Sequence, residues 1–93
     1  MKAAVEQTAA QWGTVHVALT CAGIIGASMT LTSKTQLDVK NFKRVMDLNL
    51  FGSVYVAKYC SVLMSKNEPL NAKGEKGAII FVSSIAAEEA NKG

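Results

Sequence analysis

Apolar positions fall into three stretches of different period, and the central one is the longest. From Asp38 to Lys66 the chain has no proline, and apolar side chains recur three and four residues apart. Phe42, Val45, Met46, Val56, Cys60 and Leu63 form one stripe, which also takes in Asn49, Gly52 and Ser53. Leu48, Phe51, Tyr55, Tyr59 and Val62 form a second. This spacing predicts one helix of roughly 40 Å, at about 1.5 Å per residue. Asp38 stands where an N-cap carboxylate suits the positive helix end. Pro69, Gly74 and Gly77 mark the loop that ends the helix. Two apolar stripes imply two covered faces, one on a sheet and one against a neighbouring helix or subunit.

On either side lies a short run, Val15–Thr20 and Ala78–Val82, predicted as buried strands. Two such strands joined by a long helix read as a parallel crossover, expected to be right-handed. Upstream, Lys2–Trp12 is rich in helix formers, with Val5, Ala9 and Trp12 on one face. Gly13 follows where a left-handed cap favours glycine. Ala27–Gln36 reads as a surface loop, and Ile85–Lys92 as the start of another helix. The whole is a helix–strand–helix–strand slice of an α/β sheet, with too few strands to close one. No internal repeat or domain boundary interrupts it.

Composition sharpens this. The chain has 93 residues, of which 49% are apolar. So short a chain buries only somewhat more than ~60% of its unfolded surface. Apolar surface is therefore expected to be covered by a second subunit or by further polypeptide. The net charge of +3 comes from scattered lysines and the single arginine, Arg44. No basic run alternates with aromatics, which argues against a nucleic-acid partner. Cys21, Cys60 and His16 have no ligand spacing, so no metal is expected. Free thiols fit a reducing compartment. The longest apolar stretch, Leu48–Met64, is broken by Asn49, Ser53, Lys58 and Ser61, which argues against a membrane span. The first residues resemble neither a signal nor a transit peptide.

Candidate chemistry collects at the strand exits. Cys21–Gly26 leaves the first strand through two glycines, and glycine allows close backbone approach to a ligand. Ligands of open α/β sheets sit outside the carboxyl ends of strands. Ser84 follows the second strand; its residue type alone reads as a helix cap. Asn49 is a poor choice for a helix interior and needs a partner. His16 reads as a strand side chain with a local hydrogen bond, and Cys21 has no identifiable base beside it.

Three markers in order resemble the short-chain dehydrogenase/reductase family. Thr20-Cys21-Ala22-Gly23 is similar to its Asn-Asn-Ala-Gly turn, with both asparagines replaced. Asn49-Leu50-Phe51-Gly52 is similar to its Asn-x-x-Gly in the long helix, and Gly77–Ser84 to a strand with a terminal serine. Cys21–Ile24, Phe42–Val45, Asn67–Pro69 and Ser84–Ala87 point to the branch acting on 3-hydroxyacyl-CoA or hydroxysteroid-type substrates. Met29–Leu37 is a slightly shortened counterpart of that branch's extra loop.

The resemblance implies residues 1–93 as the central part of a single NAD(P)-binding Rossmann-type domain. It implies an NAD-dependent enzyme that interconverts a secondary alcohol and a ketone. Ser84 would contact the substrate oxygen, Asn49 would hold a proton relay through its main chain at a helix bend, and Cys21, Ala22 and Gly23 would lie beside the adenosine ribose. It further implies a small-molecule substrate, a homo-oligomer through the helix at 38–66, and a mitochondrial matrix location, with cytoplasm as the alternative. The family's Gly-rich turn and Tyr-x-x-x-Lys are not among these residues: Tyr55 has Tyr59 four positions on, and Tyr59 has Leu63. The isolated chain is therefore expected to be inactive. The alternative is a non-catalytic segment that associates through its long helix.

Overall fold

The computed structural model describes residues 1–92. Helix α1 (Lys2–Trp12) leads into strand β1 (Val17–Thr20). A long helical run follows, made of α2 (Val39–Met46), a π-helical turn (Asp47–Phe51) and α3 (Gly52–Met64). Strand β2 (Ala78–Phe81) and a 3₁₀ turn (Ile85–Ala87) complete it. The strands pair in parallel, with Val17 opposite Ala78 and Thr20 opposite Phe81. The chain is thus an incomplete slice of a Rossmann-type α/β sheet.

Local chemistry explains the boundaries. The Asp38 carboxylate accepts the backbone N–H groups of Lys40 at 3.0 Å and Asn41 at 3.2 Å, so it caps α2. Gly13 ends α1 at φ 88°, the left-handed region that favours glycine, and donates its N–H to the Ala9 carbonyl at 2.8 Å. Both strands are shorter than their apolar runs. Pairing still extends past each end: the Ala78 N–H donates to His16 O at 2.8 Å, and the Val82 N–H donates to Thr20 O at 3.2 Å.

The core is one-sided. Val5 of α1, Ala18 of β1, and Cys60 and Met64 of α3 are buried together, with Val15, Val56, Tyr59, Leu63 and Ile79 packed around them. The first helix stripe turns toward this core along α3, while Phe42 stays exposed on α2. The second stripe is bare at Leu48, Phe51, Tyr55 and Val62. Burial also pushes the Cys60 thiol above its ordinary pKa, because the thiolate is poorly solvated there.

Two expectations are corrected. The strands are not buried on both faces: Val17 is 61% exposed, Leu19 56% and Val82 60%, because only the opposite face meets a helix. Trp12, although on the same side of α1 as Val5 by spacing, is 74% exposed. Ile85–Lys92 forms a single 3₁₀ turn rather than a longer helix. The Ala27–Gln36 loop gains local order from an antiparallel bridge between Leu31 and Gln36.

The accessible surface is 7452 Å². A compact chain of this mass would expose about 5200 Å². Its radius of gyration is 17.7 Å, against about 12 Å for a compact domain of this length. The chain thus exposes roughly 2200 Å² more than a compact body of its mass.

Asn67 joins the amino ends of both strands to the end of α3. Its Nδ2 donates to Val15 O and to Lys76 O, each at 2.9 Å. Its Oδ1 accepts from the Thr14 hydroxyl, and its backbone N–H donates to Met64 O at 3.0 Å. Gly77 lies under Met64; a Cβ there would come within 2.8 Å of Met64 Cγ and Sδ and 2.9 Å of His16 O. Glycine is required at that position for space, not for a special φ.

Two outcomes follow from these contacts. Asn67→Asp keeps the shape but removes both donors, leaving two carbonyls against a carboxylate. It should lower stability by about 1–3 kcal/mol, read by urea unfolding of the protein at its natural length. An unchanged midpoint would show that the junction is dispensable. Maleimide near neutral pH should label exposed Cys21 well before buried Cys60. The Cys60 thiol also stabilises the fold fully below the ordinary thiol pKa, and loses that contribution as the pH climbs through the raised one. Equal labelling of the two cysteines in the folded protein would contradict the core described above.

Candidate functional site

The parallel register decides which residues can meet. Because Thr20 stands opposite Phe81, the chain leaves both strands at the same sheet edge. Cys21, Ala22 and Gly23 follow at one exit, and Ser84 lies three residues beyond the other strand's last residue. The backbone groups of Cys21, Ala22 and Gly23 have no hydrogen-bond partner among the described residues. They are therefore available to hydroxyl groups of a ligand. Cys21, Ala22 and the buried Thr20 line a groove of about 1230 Å³ that runs beside Lys43, Arg44 and Leu48. Asn49 and Ser84 do not line it.

Asn49 belongs to the same edge through a pair of hydrogen bonds. Its Nδ2 donates to Ile24 O at 2.9 Å, and its Oδ1 accepts the Ile24 N–H at 2.9 Å. Both halves of the amide are thus committed to one residue of the exit loop. The π-helical turn falls on Asn49, where the Gly52 N–H reaches back five residues to Asp47 O. Such widened turns recur at functional sites, because they change how backbone groups are aimed. The Asn49 carbonyl accepts the Ser53 hydroxyl at 3.1 Å.

A Cβ on Gly23 would meet the Asn49 amide in ordinary van der Waals contact, 3.6 Å from Oδ1, so space at this position does not demand glycine.

Ser84 takes an extended backbone, φ −135° and ψ 151°, and its hydroxyl oxygen accepts the Ala86 N–H at 3.2 Å. It is therefore a cap of the 3₁₀ turn. A serine hydroxyl has one proton to donate and two lone pairs. Capping occupies a lone pair and leaves the proton free for an oxygen arriving at the sheet edge.

Some contributors lay outside the expected set. Thr20 Oγ1 is buried, in a residue 8% exposed, and has no partner among the described residues. A buried hydroxyl left unpaired is costly. Only the alternation of the strand could have pointed to it. Asn41 and Val45 precede Asn49 by eight and four residues, so they share its helix face, and both approach the exit loop at Gly26. Among the described residues no group of three or more His, Cys, Asp or Glu could hold a metal ion. No helix among them is long and apolar enough to cross a membrane.

Comparison with known proteins identifies the family. The family model for short chain dehydrogenase matches residues 1–93. The 3-hydroxyacyl-CoA dehydrogenase type-2 of Homo sapiens is 39% identical over 85 residues, covering 89% of this chain and 32% of that protein. Its Bos taurus counterpart is 36% identical over 95 residues, covering 100% of this chain and 36% of that protein. A cyclohexanol dehydrogenase of Acinetobacter sp. (strain SE19) is 34% identical over 86 residues, covering 92% and 30%. The chain spans about a third of the length of these relatives. With the match running from one end of the sequence to the other, and the turn, helix asparagine and strand-end serine on one parallel frame, the chain belongs to the short-chain dehydrogenase family.

Proposed function

We propose that this chain is the central segment of an NAD-dependent oxidoreductase that interconverts a secondary alcohol and a ketone. The preferred substrate class is a 3-hydroxyacyl-CoA or a hydroxysteroid. One observation carries the reading: the parallel register sends Cys21–Gly23 and Ser84 out at one sheet edge, and Asn49 is bonded to the loop between them and the helix. The relatives are named for alcohol-bearing substrates, which favours the same reaction class. A mitochondrial setting is part of the proposal and rests on resemblance.

The residues fit a dinucleotide in one respect, the unengaged backbone at Cys21, Ala22 and Gly23. That backbone would hold the ribose hydroxyls. Once bound, NAD supplies hydride exchange with the substrate carbon. Ser84 donates its free proton to the substrate oxygen as negative charge grows there. Asn49 keeps the exit loop in place, and the carbonyl at the π turn supports a proton relay.

A second reading concerns association. Leu48, Phe51, Tyr55 and Val62 are exposed along one helix face, and Tyr55 stacks on Tyr59 with ring centroids 6.4 Å apart. That face favours pairing with a second copy of the chain. A protein that sediments as a monomer and binds no hydrophobic dye would exclude it.

In the protein at its natural length, Ser84→Ala should lower kcat by about 10²–10³-fold while leaving NAD affinity within a few-fold. Retention of full kcat would remove Ser84 from the reaction. The 93 residues alone should show no NAD-dependent turnover above that of an Asn49→Ala, Ser84→Ala double variant, since an acid/base group commonly supplies ~10²–10⁴ in rate. Turnover above that background would show that the absent tyrosine–lysine pair is not needed.

A further inference from the structure

The loop that leaves β1 touches the long helix at two places, and only the first is held by hydrogen bonds. The chain meets Asn49 at Ile24. Two residues later it presses on the same helix face at Gly26. A Cβ built on Gly26 would lie 2.4 Å from Val45 Cγ2 and 3.0 Å from Asn41 Nδ2. The first distance is far inside van der Waals contact. Gly26 does not have a positive φ. Its backbone conformation is open to other residues, so the position demands glycine for space.

The helix side of this contact does not yield easily at Val45. Val45 is β-branched, and in a helix such a side chain has one strongly preferred χ1 rotamer. The helix is held by the Asp38 cap at one end of α2 and runs into the π turn at the other. The Asn41 amide is longer and can swing away. Val45 is thus the rigid stop, and Gly26 is the only residue type that lets the loop lie flat upon it. Any side chain at 26 must lift the loop, and the paired Ile24–Asn49 bonds stand two residues from the lift.

We infer that Gly26 and Val45 form a second anchor for the β1 exit, and that Gly26 is a positioning residue for the ligand held by the Cys21–Gly23 backbone. The ligand half of this statement rests on the dinucleotide reading above. Asn49 fixes the loop by direction, through two hydrogen bonds. Gly26 on Val45 fixes its height above the helix. Together they hold a stretch whose own backbone groups have no partner among the described residues. The turn therefore offers its donors and acceptors without relaxing onto the protein.

The test uses a steric rescue in the protein at its natural length. Gly26→Ala introduces the clash, and Val45→Ala in the same chain removes the methyl that causes it. Amide hydrogen exchange at Ile24 and the NAD dissociation constant are read for the parent, both single variants and the double. Gly26→Ala should quicken Ile24 exchange and weaken NAD binding, each by about tenfold, the effect of a modest overpacking strain. Exchange at Ala78, at the far end of the sheet, should not change. The double variant should return both readouts to within about threefold of the parent. The anchor is overturned if Gly26→Ala leaves Ile24 exchange within about twofold of the parent, if the double is no better than the single, or if Ile24 is unprotected in the parent. Quickened and rescued exchange with no NAD bound by any variant would uphold the anchor and remove the cofactor reading.

Discussion

The parallel pairing of β1 with β2 is the constraint on which the other features depend. Parallel strands cannot be joined by a tight turn, so the connection must cross the sheet, and here the long helical run makes that crossing. The crossing brings both carboxyl ends to one edge. It also places the helix over Ala18 and Ile79, where the small core forms. Asn67 completes the arrangement at the opposite edge, since one amide joins the entries of both strands to the end of α3. The sheet is fixed at its amino edge by hydrogen bonds within the chain. At its carboxyl edge the backbone of Cys21–Gly23 has no partner among the described residues.

A parallel sheet ordinarily has both faces covered, and this one has a single dry face. Val17, Leu19, Ile80 and Val82 alternate onto the bare side. The exposed stripe on α3 adds a second uncovered apolar surface, and the unpaired Thr20 hydroxyl adds a buried polar group awaiting a partner. These three features have one physical reading. Surface of this kind is stable when further polypeptide lies upon it. Relatives about three times as long provide a natural scale for how much.

The site is built from conflicts of local preference. An asparagine inside a helix, a π turn in place of an α turn, and a glycine pressed on a valine would each be unfavourable alone. Together they dock a loop on a helix. Asn49 trades intrahelical comfort for two bonds to Ile24, and the widened turn falls on the same residue. Ser84 caps the 3₁₀ turn through an oxygen lone pair, which leaves its proton unspent. Structural and chemical duties are compatible in that side chain.

Much of the fold was legible in the sequence because it follows from short-range rules. The helix start at Asp38, the glycine cap at Gly13 and the two β runs are written in residue type and period, and all four appear. Asn49 stood out in the sequence as a polar residue on an apolar stripe, whereas Ser84 by residue type read only as the cap that it is. Other matters required the tertiary structure. Periodicity says which side chains share a face, but not whether anything covers it, so the strands were expected to be more buried than they are. Nor does a sequence say why a glycine is needed: Gly13 answers to a dihedral angle, and Gly26 and Gly77 to neighbours more than a dozen residues away. Such contacts exist only after the crossing has been made. Residue type and spacing set the elements. The distances that tie Asn49 to Ile24 and Asn67 to both strand entries depend on how those elements pack.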